Sequence, residues 1–262
     1  MMQHPSPEIL AHEFWVGTGL QDTFPRNIER AIAMKLPLAL VKLPQLNTKV
    51  IGQWLEQRRI ITPLAPLRGR RAVRPFPLDQ RDLLGGLIAY RGYGLIFICG
   101  SDDPEEQRLT VAHEVAHFLV DYLHPRQQVI QALGEHITEV LDGLRKATLS
   151  ERAAAILSHL RLGAHAHLLP RPGKDEDAQW VVAAAEDRAD RLARELVAPQ
   201  ERMHTLLQDL STRATVDSEH ACAALAAYFG LPPYAFDDIF RTINQRRPVS
   251  FLADIREALR RQ

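Results

Sequence analysis

Two imidazoles and a carboxylate fall within one short run, Ala112-His113-Glu114-Val115-Ala116-His117-Phe118. On a helix this spacing projects His113 and His117 from one face about one turn apart. Two neutral ring nitrogens placed so can reach a single divalent ion at about 2.0–2.1 Å. Glu114 sits one residue round the helix, close enough to touch a water beside such an ion without ligating it. Zinc draws the pKa of a bound water from roughly 15.7 toward about 7, and an adjacent carboxylate can take the proton as the water attacks a polarised carbonyl. The chemistry expected is metal-assisted hydrolysis with Glu114 as base. The competing reading is an amphipathic helix that carries two surface histidines.

A hydrolytic zinc site needs a third protein ligand and one open position. The extended motif with a glycine and a third histidine is absent, since Val120 and Leu123 occupy those places. His124 lies about 10 Å further along a continuous helix, too far to share the ion. A carboxylate from another helix fits better. In the run from Ala185 to Val197, the small and apolar residues Ala189, Ala193 and Leu196 mark an inward face, and Glu186 and Asp190 share that stripe. A buried carboxylate needs a cation or full hydrogen bonding, and a metal ion would supply the first. Glu186 could instead pair with Arg188 on a solvated face, and Glu135 and Glu139 stand as alternative carboxylates.

The elements that must position these groups are readable from periodicity and punctuation. Asn27 to Met34 suits a short helix; Leu38 to Leu43, set between prolines, suits a strand; Asn47 to Arg59 repeats apolar residues at helical spacing. The Pro- and Arg-rich stretch from Thr62 to Pro77 suits a linker. Gly86 to Gly100 reads as a β-hairpin turning at Arg91-Gly92-Tyr93-Gly94. A helix follows from Pro104 to Leu123, and His124-Pro125 is expected to end it. Helical spacing resumes from Gln128 to Leu144, and Thr148 with Glu151 fits a capping box. Residues around His165-Ala166-His167 read as a loop or lid, before a long helix from Trp180 to Val197. The tail from Thr205 is helical, interrupted at Gly230-Leu231-Pro232-Pro233.

The run LIFICGSDDPEEQRLTVAHEVAHFLVD, followed by EDRADRLARELVAP, resembles the ImmA/IrrE family of metallo-endopeptidases over roughly Leu87 to Met203. That family sets a hairpin before a His-Glu-x-x-His helix, then a second helix with Glu-x-x-Ala-Asp/Asn-x-Phe-Ala-x-x-Leu-Leu-Met-Pro. Here Leu192 replaces the Phe, and Val197-Ala198-Pro199 replaces Leu-Met-Pro. The resemblance implies His113, His117 and Glu186 as zinc ligands, Glu114 as catalytic base, and Asp190 as a partner orienting a ligand histidine. It implies an α+β, mainly helical, zincin-like fold with a small sheet on the active-site helix. It also implies a cytoplasmic endopeptidase that cuts a DNA-binding repressor. Residues 118–185 make a longer separation between His117 and Glu186 than the family pattern leads one to expect. The expected organisation is an N-terminal αβ segment over 1–78, a peptidase domain over 79–204 with an insertion at 125–179, and a helical extension over 205–262. A non-catalytic module that sequesters a transcription factor is the second functional reading; the intact Glu114 argues for the enzyme.

Composition narrows the field further. With 32 Lys+Arg against 32 Asp+Glu, the formal charge is zero, which argues against a protein that coats nucleic acid or membranes. The two cysteines, Cys99 and Cys222, exclude a disulfide framework or cysteine zinc site and suit small core positions. No apolar run approaches about 18 residues, and the start lacks a signal-peptide plan, so a cytoplasmic location with no membrane partner is expected. The arginines from Arg58 to Arg74 read as a solvated linker. The tail resembles a helix-turn-helix in outline, but Asp237 and Asp238 would repel phosphate, so direct nucleic-acid binding is not expected. His165 and His167 read as exposed loop histidines, with metal ligation or oxyanion stabilisation as the sharper option. Tyr93, Tyr122 and Arg171 are candidate electrophilic helpers. The strand Leu95 to Cys99 is a candidate edge for an extended peptide.

Overall fold

The computed structural model describes residues 5–58, 81–157, 164–171, 180–213 and 218–236. The elements run α1 (Pro7–Trp15), α2 (Ile28–Lys35), β1 (Leu38–Leu43), α3 (Thr48–Gln57), β2 (Leu83–Tyr90), β3 (Tyr93–Cys99) and α4 (Pro104–His117). A π-helical turn (Phe118–Leu123) leads into α5 (His124–Leu133), α6 (Thr138–Leu141), α7 (Leu149–Leu157), β4 (His165–Pro170), α8 (Trp180–Val197), α9 (Gln200–Arg213) and α10 (Ser218–Phe229). The fold is α+β and mainly helical, with one small mixed sheet, as the sequence leads one to expect.

Helix starts follow local chemistry. Asn27 and Asn47 stand just outside α2 and α3, and their side chains accept from the N–H groups of Arg30 and Val50. The expected capping box also forms: Thr148 Oγ1 accepts from Glu151 N–H while Glu151 Oε2 accepts from Thr148 N–H. Pro104 occupies the first turn of α4, with Glu105 and Glu106 beside it near the positive end of the helix dipole. The β2–β3 hairpin closes on Arg91 and Gly92, at φ 53° and 83°. Two adjacent positive φ values suit a two-residue turn whose twist matches the strands.

The sheet order is β1-β3-β2-β4, with β1 parallel to β3 and the other pairs antiparallel. Strand β3 is therefore internal, which overturns its candidacy as a peptide-accepting edge; its backbone is paired on both sides. Alternation divides the sheet into two faces. Leu95, Phe97 and Cys99 pack with Ile51, Leu55 and Trp54 of α3, Trp54 meeting Phe97 edge to face at 5.2 Å. Gly85 and Gly94 look the other way, toward Thr110, Glu114 and Phe118. From Thr110 to Phe118 the chain is buried all round, so α4 with its turn is a core element rather than a surface amphipathic helix.

Two further expectations are corrected. His124-Pro125 does not end the helix: His124 N–H bonds to Leu119 O across a π turn, and α5 continues from it. The wider turn accommodates a ring that would clash with a carbonyl four residues back in an ordinary α-helix. The stretch around His165 is a strand, not a loop or lid, because its alternation lets it pair along β2 from Leu83 to Ala89.

The chain divides into two compact units, Met1–Pro199 and Gln200–Gln262. All four strands belong to the first, including β1 from the N-terminal segment and β4 from the stretch between the two motif helices. Cys99 is buried and Cys222 partly so, both as free thiols. No described helix is long and apolar enough to cross a membrane. Most of the arginine-rich linker, and Asp237 and Asp238, lie outside the described residues.

Candidate metal centre

Helix α4 delivers His113 and His117 on one face, as their spacing requires. Their Nε2 atoms lie 3.1 Å apart, and both side chains are nearly inaccessible. Helix α8 packs against α4 through Ala189, Ala193 and Leu196, each almost wholly buried. Small residues there let the two helices approach closely, which brings Glu186 over the imidazoles. Its Oε2 is 3.3 Å from His113 Nε2 and 3.5 Å from His117 Nε2. Glu186 therefore does not pair with Arg188, which faces Asp121 instead. Glu135 and Glu139 are exposed and take no part.

Strand β4 adds a member that the sequence placed on an exposed loop. His167 pairs with Leu87 across the sheet and points from the α4 face into the cluster. Its Nε2 is 3.1 Å from Glu186 Oε1, its Nδ1 is 3.0 Å from Glu114 Oε2, and its ring stacks on that of His117 at 3.7 Å. One donor atom from each of His113, His117, His167 and Glu186 lies within 4.8 Å of all the others. The alternating His-Ala-His was the available signal, since on a strand it sends both rings to one face. His165 is buried on that face, 6.2 Å from the Tyr122 ring.

Each helix histidine has a carboxylate behind it. Asp190 Oδ1 lies 2.9 Å from His113 Nδ1, and Asp121 Oδ2 lies 2.6 Å from His117 Nδ1. Asp190 sits on the stripe read from the sequence. Asp121 was missed, although its position four residues beyond His117 was a usable signal. Glu114 is wholly buried; among the described residues its Oε1 has no hydrogen-bond partner, and Gly85 stands directly over it. A Cβ at Gly85 would lie 2.6 Å from Thr110 Cγ2 and 2.9 Å from Glu114 Oε1, so only glycine admits the helix this close to β2.

The electrostatics call for positive charge at the convergence point. Burial draws the His113 pKa down, but hydrogen bonds to Asp190 and Glu186 and the charge of Glu114 outweigh it and raise the value to about 9. Burial of His167 is likewise outweighed by Glu114 and Glu186, raising its pKa to about 10. Glu186 would be pushed up by burial, yet its contacts with the three imidazoles hold it well below the usual carboxylate range. Protons or a divalent cation can satisfy this arrangement, and cation binding would release the protons. A tetrahedral ion with bonds of about 2.0–2.1 Å sets its donors about 3.3 Å apart. His113 Nε2, His117 Nε2 and Glu186 Oε2, at 3.1, 3.3 and 3.5 Å from one another, match that spacing, and with His167 inside 4.8 Å the donor set fits a metal cofactor.

The candidate helpers are engaged elsewhere. Tyr122 OH accepts from Gly92 N–H, Arg171 holds Asp102 at 2.5 and 2.7 Å, and Tyr93 is exposed. His124 bonds to Gln128 and lies outside the cluster.

Among known protein families, residues 72–179 match the model Peptidase_M78, described as the IrrE N-terminal-like domain. The match takes in the hairpin, the His-Glu-x-x-His helix and β4, and stops before α8 with Glu186 and Asp190. No curated protein and no solved structure matches the chain at a significant level.

Proposed function

We propose, from the match of residues 72–179 to the IrrE N-terminal-like domain of the Peptidase_M78 model, that the chain is a zinc-dependent endopeptidase of narrow specificity acting in the cytoplasm. The observation that carries this reading is the convergence of His113, His117 and Glu186 beside a buried carboxylate with one unpartnered oxygen. A zinc ion held by those three side chains would polarise the scissile carbonyl and acidify the attacking water. Glu114 Oε1, buried and without a hydrogen-bond partner among the described residues, would accept a proton from the attacking water and return it to the leaving amine. Asp190 and Asp121 receive the Nδ1–H groups of His113 and His117, which fixes each ring with Nε2 toward Glu186, where these residues would hold the metal. The substrate proposed is a regulatory protein of the DNA-binding repressor type, on the strength of the family resemblance.

One observation favours the second reading, a non-catalytic module that binds a transcription factor: His167 stands where a hydrolytic site would keep an opening. Glu114→Gln separates the two. The enzyme reading expects bound metal to remain and peptide cleavage to fall by at least about a hundredfold; cleavage that survives the substitution sinks the base role.

A further inference from the structure

The three histidines of the cluster share one bonding plan. Each Nδ1 lies against a carboxylate: Asp190 at 2.9 Å, Asp121 at 2.6 Å and Glu114 at 3.0 Å for His113, His117 and His167. An ionised carboxylate can only accept, so each Nδ1 carries a proton and, in the neutral ring, each Nε2 presents a lone pair. The Nε2 atoms of His113 and His117 then face Glu186 Oε2 at 3.3 and 3.5 Å, and that of His167 faces Glu186 Oε1 at 3.1 Å. Acceptors cannot stand that close to a carboxylate without a shared proton or cation between them. Histidine ligands of metal ions characteristically donate their second nitrogen to such a carboxylate, and His167 meets this description as fully as the two helix histidines do.

We propose that His167 Nε2 is a fourth protein donor, so that the ion is held by three imidazoles and one carboxylate drawn from α4, β4 and α8. The inference rests on the reading of the cluster as a metal centre. Its backbone is equipped for the role: β4 is registered on β2 through Leu87, and the His167 ring is held by stacking on His117. Glu114 acquires a second duty, with Oε2 orienting His167 and Oε1 left for a water. With four protein donors on the ion, a substrate carbonyl would have to enter at a fifth position or at the place of His167.

The test uses the whole chain, labelled with ¹⁵N and loaded with ¹¹³Cd. Three histidine Nε2 resonances, His167 among them, are expected to show coupling to cadmium. Coupling confined to His113 and His117 overturns the proposal and leaves the metal centre standing, whereas no bound cadmium at all overturns the metal centre and this inference with it. His167→Gln keeps an N–H for Glu114 but removes the imidazole. Zinc affinity measured by chelator competition should fall at least about tenfold with the far-ultraviolet circular dichroism unchanged; wild-type affinity in that variant also overturns the proposal.

Discussion

At the level of single residues, the site depends on groups that never touch an ion. Asp121 and Asp190 play the same part for His117 and His113 but in different surroundings: the Asp121 side chain is 18% exposed and that of Asp190 50%. Asparagine at either place can still accept from Nδ1 but no longer brings charge to the ring. Zinc affinity is therefore expected to drop about 10- to 100-fold, as for other outer partners of metal ligands. The drop should be larger for Asp121→Asn, where solvent screens less; chelator competition on both variants checks the order. Gly85 acts through space rather than charge. Gly85→Ala must push Thr110 and Glu114 aside, at a cost of about 1–3 kcal/mol for overpacking. Thermal unfolding should register the loss of stability, and peptidase activity should fall further than stability alone requires because Glu114 is displaced. These residues also mark the limit of what the sequence discloses. His113, Glu114 and His117 are legible because their chemistry is local to one helix. Asp190 follows from helical periodicity. His167 is legible only as far as its alternation with His165, since nothing near it in the chain says which strand it will join or that Leu87 will stand opposite.

At the level of elements, α8 carries Glu186 and Asp190 to the site and is held at its far end by the N-terminal segment. Trp15 Nε1 donates to Leu196 O at 2.9 Å, and Arg26 Nη1 donates to the same carbonyl at 2.8 Å. Arg26 Nη1 also reaches Glu195 O at 3.3 Å; both carbonyls lie in the last turn of the helix, so a guanidinium there satisfies them and opposes the negative end of the dipole. Burial lowers the Arg26 pKa to about 10, with Glu195 and Asp22 acting in the other direction; the group still carries its charge at neutral pH. Arg26→Ala should cost about 1.5–3 kcal/mol, the range for hydrogen bonds to a charged group. Denaturant unfolding measures it, and a change under about half a kcal/mol would remove Arg26 from this role. Most elements could be placed from the sequence: β1 at Leu38–Leu43 and α8 at Trp180–Val197 fall where apolar spacing and proline put them. The misplaced ones share a cause. Pro125 signals a helix end only while the preceding turn stays α-helical, and the π turn removes that condition. Strand β4 is short and histidine-bearing, so it becomes a strand through the pairing that β2 offers rather than through its own propensity.

For the molecule as a whole, the donors tie together three segments that the chain separates widely: α4, β4 and α8. All three belong to the unit Met1–Pro199, and none of the cluster residues lies in Gln200–Gln262. An ion bound only by the folded arrangement stabilises it by mass action, by about 2.7 kcal/mol when free zinc stands at a hundred times its dissociation constant. For a chain of this size each kcal/mol moves the midpoint by about 2–4 °C. Chelation should accordingly lower the melting temperature of the first unit by roughly 5–11 °C under those conditions, and added zinc should restore it. Hydrogen exchange locates the effect. Amides of α4, β4 and α8 should lose protection when the ion is removed, because Glu186 and the three imidazoles then hold one another only through shared protons. Amides of α10, in a unit with no cluster residue, should exchange at the same rate with and without the ion. Loss of protection spread evenly over both units would mean that the ion does not act by joining these three segments.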